Sequence, residues 1–176
     1  MNILIPTIET ERLRLREWSP VDFKPYAALR TSAELMAYVI DGPKTQEEAW
    51  EEFCEIPVHW TIHGFGIFLV AARESDHAIG FAGLSLSSDL TEPELCWSLY
   101  PGHTGKGYAT EAALAARNWA TQSLGVPPLM SLVHPDNTAS HGVAERLGAT
   151  METKITYRGS PRYRYRHRSV EIWRLP

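Results

Sequence analysis

Leu13 and Leu15 alternate with Arg12, Arg14 and Arg16, the period-two pattern of a half-buried strand with a charged outer face. The first strand is placed there. Ser19-Pro20-Val21-Asp22 follows with a cap residue, a proline suited to a first helical position and an acid in the first turn, which predicts a helix to about Arg30, with Pro25 disturbing its regularity. A second short helix is expected from Ser32, stopped by Asp41-Gly42-Pro43. Thr45-Gln46-Glu47-Glu48 is a capping-box pattern, and Trp50, Phe53 and Cys54 form the expected core side of the helix it opens. Glu47, Glu48, Glu51, Glu52 and Glu55 supply its solvated face. Phe65 to Ala72, Ile79 to Leu86 and Glu94 to Tyr100 read as three strands. From Gly107 to Gln122 alanine, leucine and tryptophan recur at helical spacing, closed by Gly125 and Pro127-Pro128. A short buried strand, Leu129 to Val133, is followed by a helix from Asn137 to Leu147 stopped at Gly148, then by two strands around Gly159-Ser160-Pro161. The order of elements predicts a mixed α/β sheet flanked by helices.

With 176 residues the chain is expected to be a single domain spanning 1–176, and 44% hydrophobic with 22% charged residues is ordinary globular composition. Cys54 and Cys96 are too few and too far apart for a disulfide framework, which points to the cytoplasm. Neither an export segment nor a membrane span is expected. The net charge of −4 hides an asymmetry: residues 154–176 stand at +6 and the preceding 153 at −10. So mild a total argues against generic nucleic-acid binding but leaves room for one basic surface.

The informative stretch runs from Glu94 to Glu111: an apolar strand, then Pro101-Gly102-His103-Thr104-Gly105-Lys106-Gly107, then an alanine-rich helix. A glycine loop between strand and helix is an anion site, because the first helical amides are unpaired and glycine lets phosphate oxygens approach the backbone. Gly107 follows Lys106 where a Walker A loop needs Ser or Thr, and Thr110 stands where a third Rossmann glycine would be. Hydride transfer and nucleotide hydrolysis lose ground accordingly. A tight turn that needs glycine only for its shape is the other reading of this loop.

Three segments in order resemble the GCN5-related N-acetyltransferases (GNAT), and within them the ribosomal-protein N-terminal acetyltransferases: Glu9-Thr10-Glu11-Arg12-Leu13-Arg14-Leu15-Arg16; Glu94-Leu95-Cys96-Trp97-Ser98-Leu99 with Gly105-Lys106-Gly107-Tyr108-Ala109-Thr110-Glu111-Ala112; and His134-Pro135-Asp136-Asn137-Thr138-Ala139-Ser140 with Glu145-Arg146-Leu147-Gly148. The resemblance implies a mixed, mostly antiparallel sheet whose fourth and fifth family strands, here Glu94 to Tyr100 and Leu129 to Val133, splay apart to admit the pantetheine arm of acetyl-CoA. It implies main-chain contacts from Trp97, Ser98 and Leu99, pyrophosphate binding by the amides of Thr104, Gly105, Lys106, Gly107, Tyr108, Ala109 and Thr110, and a bond from Asn137 to the pantetheine amide. Lys106 either adds charge near phosphate or is a solvated turn lysine.

The implied reaction moves an acetyl group to a primary amine, a protein N-terminus or a small amine, by direct attack without metal. An alkylammonium has a pKa of about 10, so its proton must be removed before attack. Glu94 matches the family's fourth-strand acid and is the candidate general base, with a strand-end ion pair as its other reading. A main-chain amide of a bulged strand near Trp97 to Leu99 is the expected stabiliser of the thioester oxygen. Many relatives carry a tyrosine where this chain has Ala144, which leaves Ser140 as the candidate proton donor to the leaving thiolate or simply a helix-start residue. Gly102 also replaces the Gln or Arg that often opens the loop motif. Those departures keep a non-catalytic acyl-CoA-binding module or sensor as the alternative.

Other features are read as structural. His59 and His63 stand at i, i+4 without an obvious third ligand, so no metal is expected. Cys96 lacks a paired histidine and is read as a small hydrophobe, and Glu111 as a first-turn acid. Arg162-Tyr163-Arg164-Tyr165-Arg166-His167-Arg168 would place its arginines on one face of a strand, read first as a solvated hairpin face and otherwise as an RNA, acidic-peptide or phosphate surface. The resemblance puts the acceptor between the last two strands and the loop near Ala37 to Pro43. Oligomeric state is not legible.

Overall fold

The computed structural model describes residues 4–126 and 128–168. Pro127, assigned above to a helix stop, and Glu171, counted in the basic C-terminal stretch, lie outside them.

Among the described residues eight strands form one sheet: β1 (Ile8–Glu9), β2 (Leu13–Arg16), β3 (Ile67–Ala72), β4 (Ala78–Ser85), β5 (Glu94–Leu99), β6 (Met130–Val133), β7 (Thr150–Tyr157) and β8 (Ser160–Arg166). Their spatial order is β1-β2-β3-β4-β5-β6-β8-β7. Every neighbouring pair is antiparallel except β5 with β6, which is parallel and joined at one position, Glu94 opposite Met130. The α-helices among the described residues are α1 (Phe23–Arg30), α2 (Gln46–His63), α3 (Tyr108–Leu124) and α4 (Thr138–Arg146). This is the mixed, mostly antiparallel sheet flanked by helices that the sequence predicts. Among the described residues no helix is long and apolar enough to cross a membrane.

The alternation of Leu13 and Leu15 places both side chains wholly inside, while Arg14 and Arg16 reach out to Asp76. The alanine stripe of α3 (Ala112, Ala113, Ala116, Ala120) is buried, since small side chains let the helix lie close on β4 and β5. Trp60 of α2 closes the other end of the same core, against Phe68 and Trp119.

Some boundaries differ from the pattern, each for a local reason. Ile8–Glu9 adds a short strand ahead of Leu13. Pro20–Asp22 forms one 3₁₀ turn before α1, and Pro25 falls in the first turn of α1, where its missing N–H has no helical acceptor to lose. The helix expected from Ser32 is only a turn, with Met36 N–H bonded to Ser32 C=O at 3.0 Å. Met36 alone of its neighbours is buried, against Leu29 and Tyr100, and Asp41 and Gly42 enter the left-handed region, so no apolar stripe sustains a helix. In α2 the buried stripe is Ala49, Phe53, Ile56 and Trp60, whereas Trp50 and Cys54, expected inside, face out.

Candidate acyl-CoA and acceptor cleft

The single rung between β5 and β6 opens the sheet. Beyond Glu94 and Met130 the two strands diverge, and Glu94 Oε1 accepts the Leu132 N–H at 3.0 Å, taking the place of the next strand partner. Strand alternation then fixes which peptide groups face the opening. Leu95 C=O accepts from Ser131 Oγ on the β6 side, and Tyr100 N–H donates to Ile79 C=O on the β4 side. Odd-numbered residues of β5 therefore turn their main chain to the gap, and Trp97 and Leu99 have no strand opposite them. Ser98, assigned a main-chain contact from the sequence, turns its peptide groups to Phe81 of β4, so only its side chain lines the opening. The expected bulge in this strand is also absent: β4 and β5 pair residue for residue from Ser85–Glu94 to Gly80–Leu99, and register shifts lie instead between Val70 and Ala71 of β3 and between Met151 and Thr153 of β7. Divergence of β6, not a bulge, is what frees the Trp97 amide.

The opening continues into a cleft of about 1180 Å³. This exceeds the usual ~300–1,000 Å³ of a small-molecule pocket, enough for a nucleotide thioester and a second reactant together. Glu94, Trp97, Ser98 and Leu99 of β5 line it, together with Thr104, Gly105, Gly107, Tyr108, Ala109 and Thr110 of the glycine loop and first turn of α3 and with Asn137 and Ser140 at the start of α4. Of the residues singled out from the sequence only Lys106 is outside the lining, its Nζ folded back onto Gly102 C=O at 2.8 Å.

The glycine loop presents α3 end-on to the cleft. Glu111 N–H to Gly107 C=O, at 3.1 Å, is the first bond of the helix, which leaves the amides of Tyr108, Ala109 and Thr110 without helical acceptors. Gly105 and Gly107 hold φ of 75° and 81°, which only glycine adopts without strain. Arg12 braces this end in a way the sequence did not reveal: Nη1 donates to Lys106 C=O at 2.9 Å, the guanidinium lies 4.7 Å from the Tyr108 ring centre, and it pairs with Glu111 at 2.7 Å. Glu111, which also accepts from Thr10 Oγ1 at 2.7 Å, is thus the tie between β2 and α3 and no catalyst. A diphosphate fits these bare amides and the positive end of the helix.

Glu94 is half-buried, and burial pushes its carboxyl up to about 7; the Leu132 N–H and the Arg162 charge pull weakly the other way. A carboxylate so poised exchanges protons at neutral pH. The Cys96 thiol is pushed far up by burial and by the Glu94 charge, which disarms it as a nucleophile. We therefore expect Cys96→Ala to keep steady-state turnover within about a factor of three, with no acetylated protein detected by mass spectrometry after incubation with acetyl-CoA.

At the start of α4, Asn137 lines the cleft and its Oδ1 caps the helix by accepting the Ser140 N–H at 3.1 Å, which leaves its amide NH₂ uncommitted by the cap. Ala144 is fully buried with Val133, Ala149 and Tyr165, so a core methyl occupies the place of the family tyrosine. His59 bonds Phe65 C=O and the Leu86 N–H, and among the described residues no cluster of three potential metal ligands exists.

The arginine run departs most from its reading. Arg164 and Arg166 pair with Glu92 and Glu152, and Tyr165 and His167 are buried. Arg162 is buried as well and lines the cleft, its Nη2 donating to Tyr38 C=O at 3.1 Å. A solvated face therefore describes neither Arg162 nor the aromatic side, and the neutralised pair weakens an RNA surface. Arg162 went unrecognised because its alternation with Arg164 and Arg166 is seamless. The short β6, whose last rung is Val133 opposite Tyr163, leaves Arg162 without a neighbour on that side, while on the other it still pairs with Ile155 of β7.

Comparison with known proteins agrees with this geometry. An acetyltransferase from Agrobacterium tumefaciens strain C58 superposes with a TM-score of 0.85 at 36% identity, covering 96% of this chain and 97% of that one. YnaD of Bacillus subtilis (strain 168), described as an uncharacterized N-acetyltransferase, is 26% identical over 145 residues, 82% of this chain and 83% of the relative. A ribosomal L7/L12 alpha-N-protein acetyltransferase solved in complex with coenzyme A shares the fold at 16% identity, with a TM-score of 0.76 over 92% of this chain and 97% of that one. The family model for the acetyltransferase (GNAT) domain matches residues 12–150, and the chain belongs to that family of acyl-CoA-dependent N-acetyltransferases.

Proposed function

We propose that the chain transfers acetyl from acetyl-CoA to a primary amine by direct attack, with Glu94 as general base. The observation that carries this is the Glu94 carboxyl, poised at about 7 in the lining of a cleft that also takes in the unpaired edge of β5. Bound acetyl-CoA supplies an activated thioester carbonyl. The amides of Tyr108 to Thr110, with the loop from Thr104, hold its diphosphate, and Trp97 and Leu99 give the pantetheine arm strand-like partners. Asn137 reaches a pantetheine amide with its free NH₂. Glu94 takes the ammonium proton, directly or through water; the amine lone pair then forms the C–N bond while the C–S bond breaks and its pair leaves with sulfur, and the new amide nitrogen gives up its surplus proton to water or to the departing thiolate. The Trp97 amide stands where charge develops on the carbonyl oxygen. Ser140, which lines the cleft, is the proton donor to the thiolate, and since a thiol has a pKa of about 8.5 water also serves.

The acceptor is a protein N-terminus, as the likeness to the ribosomal branch suggests, or a small amine, held between β8 and the loop near Ala37 to Pro43. Arg162 of β8 bonded to Tyr38 joins those two walls. The proposal takes 1–176 as one domain working in the cytoplasm, where Cys54 and Cys96 stay as free thiols. Buried Ala144 in place of a tyrosine favours a second reading, an acyl-CoA-binding module without turnover. An acceptor screen of peptides and small amines with free-thiol detection separates the two. We expect thiol release to rise with at least one amine; coenzyme A binding without release across the whole panel selects the binding module.

A further inference from the structure

Arg162 is a charge that the transfer step does not use. It is 3% exposed, and both of its bonds run to neutral carbonyls, Nη1 to Pro161 at 2.9 Å and Nη2 to Tyr38 at 3.1 Å. Among the described residues no carboxylate oxygen lies within 4.0 Å of it. Of the three other cleft arginines, Arg30 is matched by Glu52 and Arg158 by Asp89, while Arg146 is exposed to solvent and donates to Thr110 Oγ1. A guanidinium does not lose its proton in a protein, so burial leaves a full positive charge facing the cleft with no carboxylate bonded to it. Glu94 lines the same cleft and feels this charge, although no hydrogen bond or ion pair joins the two. A proton-accepting carboxylate and an unmatched cation thus face one space, the first suited to an ammonium and the second to an anion.

We propose that the amine acceptor carries a carboxylate which Arg162 binds, so that the gap between Arg162 and Glu94 selects amines with a carboxylate a short distance from the nitrogen. This rests on the acetyl-transfer reading above. Guanidinium and carboxylate match as a planar fork, which gives orientation as well as attraction. A polyamine or a lysine side chain brings a second positive charge toward Arg162 and is a poor acceptor for the same reason.

The test uses the full chain, acetyl-CoA and acceptors matched except in charge: free amino acids against their amides, peptides with Asp as second residue against the Asn versions, and a diamine. We expect kcat/KM to favour the carboxylate member of at least one pair by about 10-fold or more, the usual weight of a charged hydrogen bond. Arg162→Gln brings that ratio to about 1 through KM, and Arg162→Lys restores part of it. A larger ratio for free amino acids assigns the α-carboxylate; a larger one for acidic peptides assigns the side chain of the second residue. Equal rates within every pair, a preferred diamine, or an unchanged ratio in Arg162→Gln overturns the proposal. The same ligands are titrated calorimetrically into the coenzyme A-loaded protein, which also reports folding of each variant. Carboxylate binding that depends on Arg162 without any thiol release would remove the transfer reading and leave this one standing; thiol release to neutral amines alone would do the reverse.

Discussion

Glu94→Gln lowers thiol release at pH 7 by about 10²- to 10³-fold while coenzyme A affinity stays unchanged, because the substitution removes a proton acceptor and little else. Glutamine keeps an oxygen for the Leu132 N–H that Glu94 Oε1 now accepts at 3.0 Å, so the opening between β5 and β6 persists. The pH profile carries the sign. With a carboxyl at about 7, the native rate rises with pH up to about 7 and then levels. The variant depends on free amine alone, so its rate keeps rising to the acceptor's own pKa, about 8 for an α-amino group and about 10 for an alkylamine. The deficit is therefore full below pH 7 and shrinks by up to about tenfold per unit above it. A variant that bends near 7 at the native rate removes Glu94 from the chemistry.

The same group opposes folding, which gives a second readout. Its folded pKa stands above the ordinary 4.5, so the fold holds the proton more tightly than the unfolded chain does. That contribution is fully present below about 4.5 and is lost as pH rises to about 7, a cost on the order of 1–3 kcal/mol once its half-exposure is allowed for. Glu94→Gln escapes it. The variant's Tm at pH 8 should equal or exceed the native one, so lost activity cannot be assigned to lost structure.

What was legible in the sequence is what depends on neighbours along the chain. Alternation placed Leu13 and Leu15 inside, and the alanine spacing of α3 marked the side that packs on the sheet. The glycine loop and the acid at Glu94 were readable because strand, loop and helix are contiguous. The opening that makes them a site was implied only by resemblance, since it depends on β6, more than thirty residues on, meeting β5 at one position. Trp50 and Cys54 were misplaced because helical spacing gives a stripe without saying which of two adjacent stripes faces the sheet. Arg162 was hidden for a related reason. Arg164 and Arg166 find Glu92 and Glu152 across the sheet, and only the tertiary fold decides that the third arginine finds none.

Gly107→Val abolishes coenzyme A binding at concentrations that saturate the native chain, an expected loss of at least about 100-fold. At φ 81° the N-cap of α3 stands in a region that costs an ordinary L-residue about 1–2 kcal/mol and a β-branched one more. A Cβ there would also sit 3.3 Å from Arg12 Nη2, the side chain that holds Lys106 C=O and Glu111. Relief of both strains turns the peptide between Lys106 and Tyr108, and the three bare amides of the first turn no longer converge on one diphosphate. Strain alone would give a similar loss of stability anywhere, so the control is at the far end of the same helix. Gly125 caps α3 with φ 63° and open space around its Cβ position. Gly125→Val should reduce Tm to a similar degree and leave coenzyme A affinity intact, as measured by calorimetry. Native-like binding by Gly107→Val, or equal loss of binding in the two variants, would move the phosphate site away from this helix end.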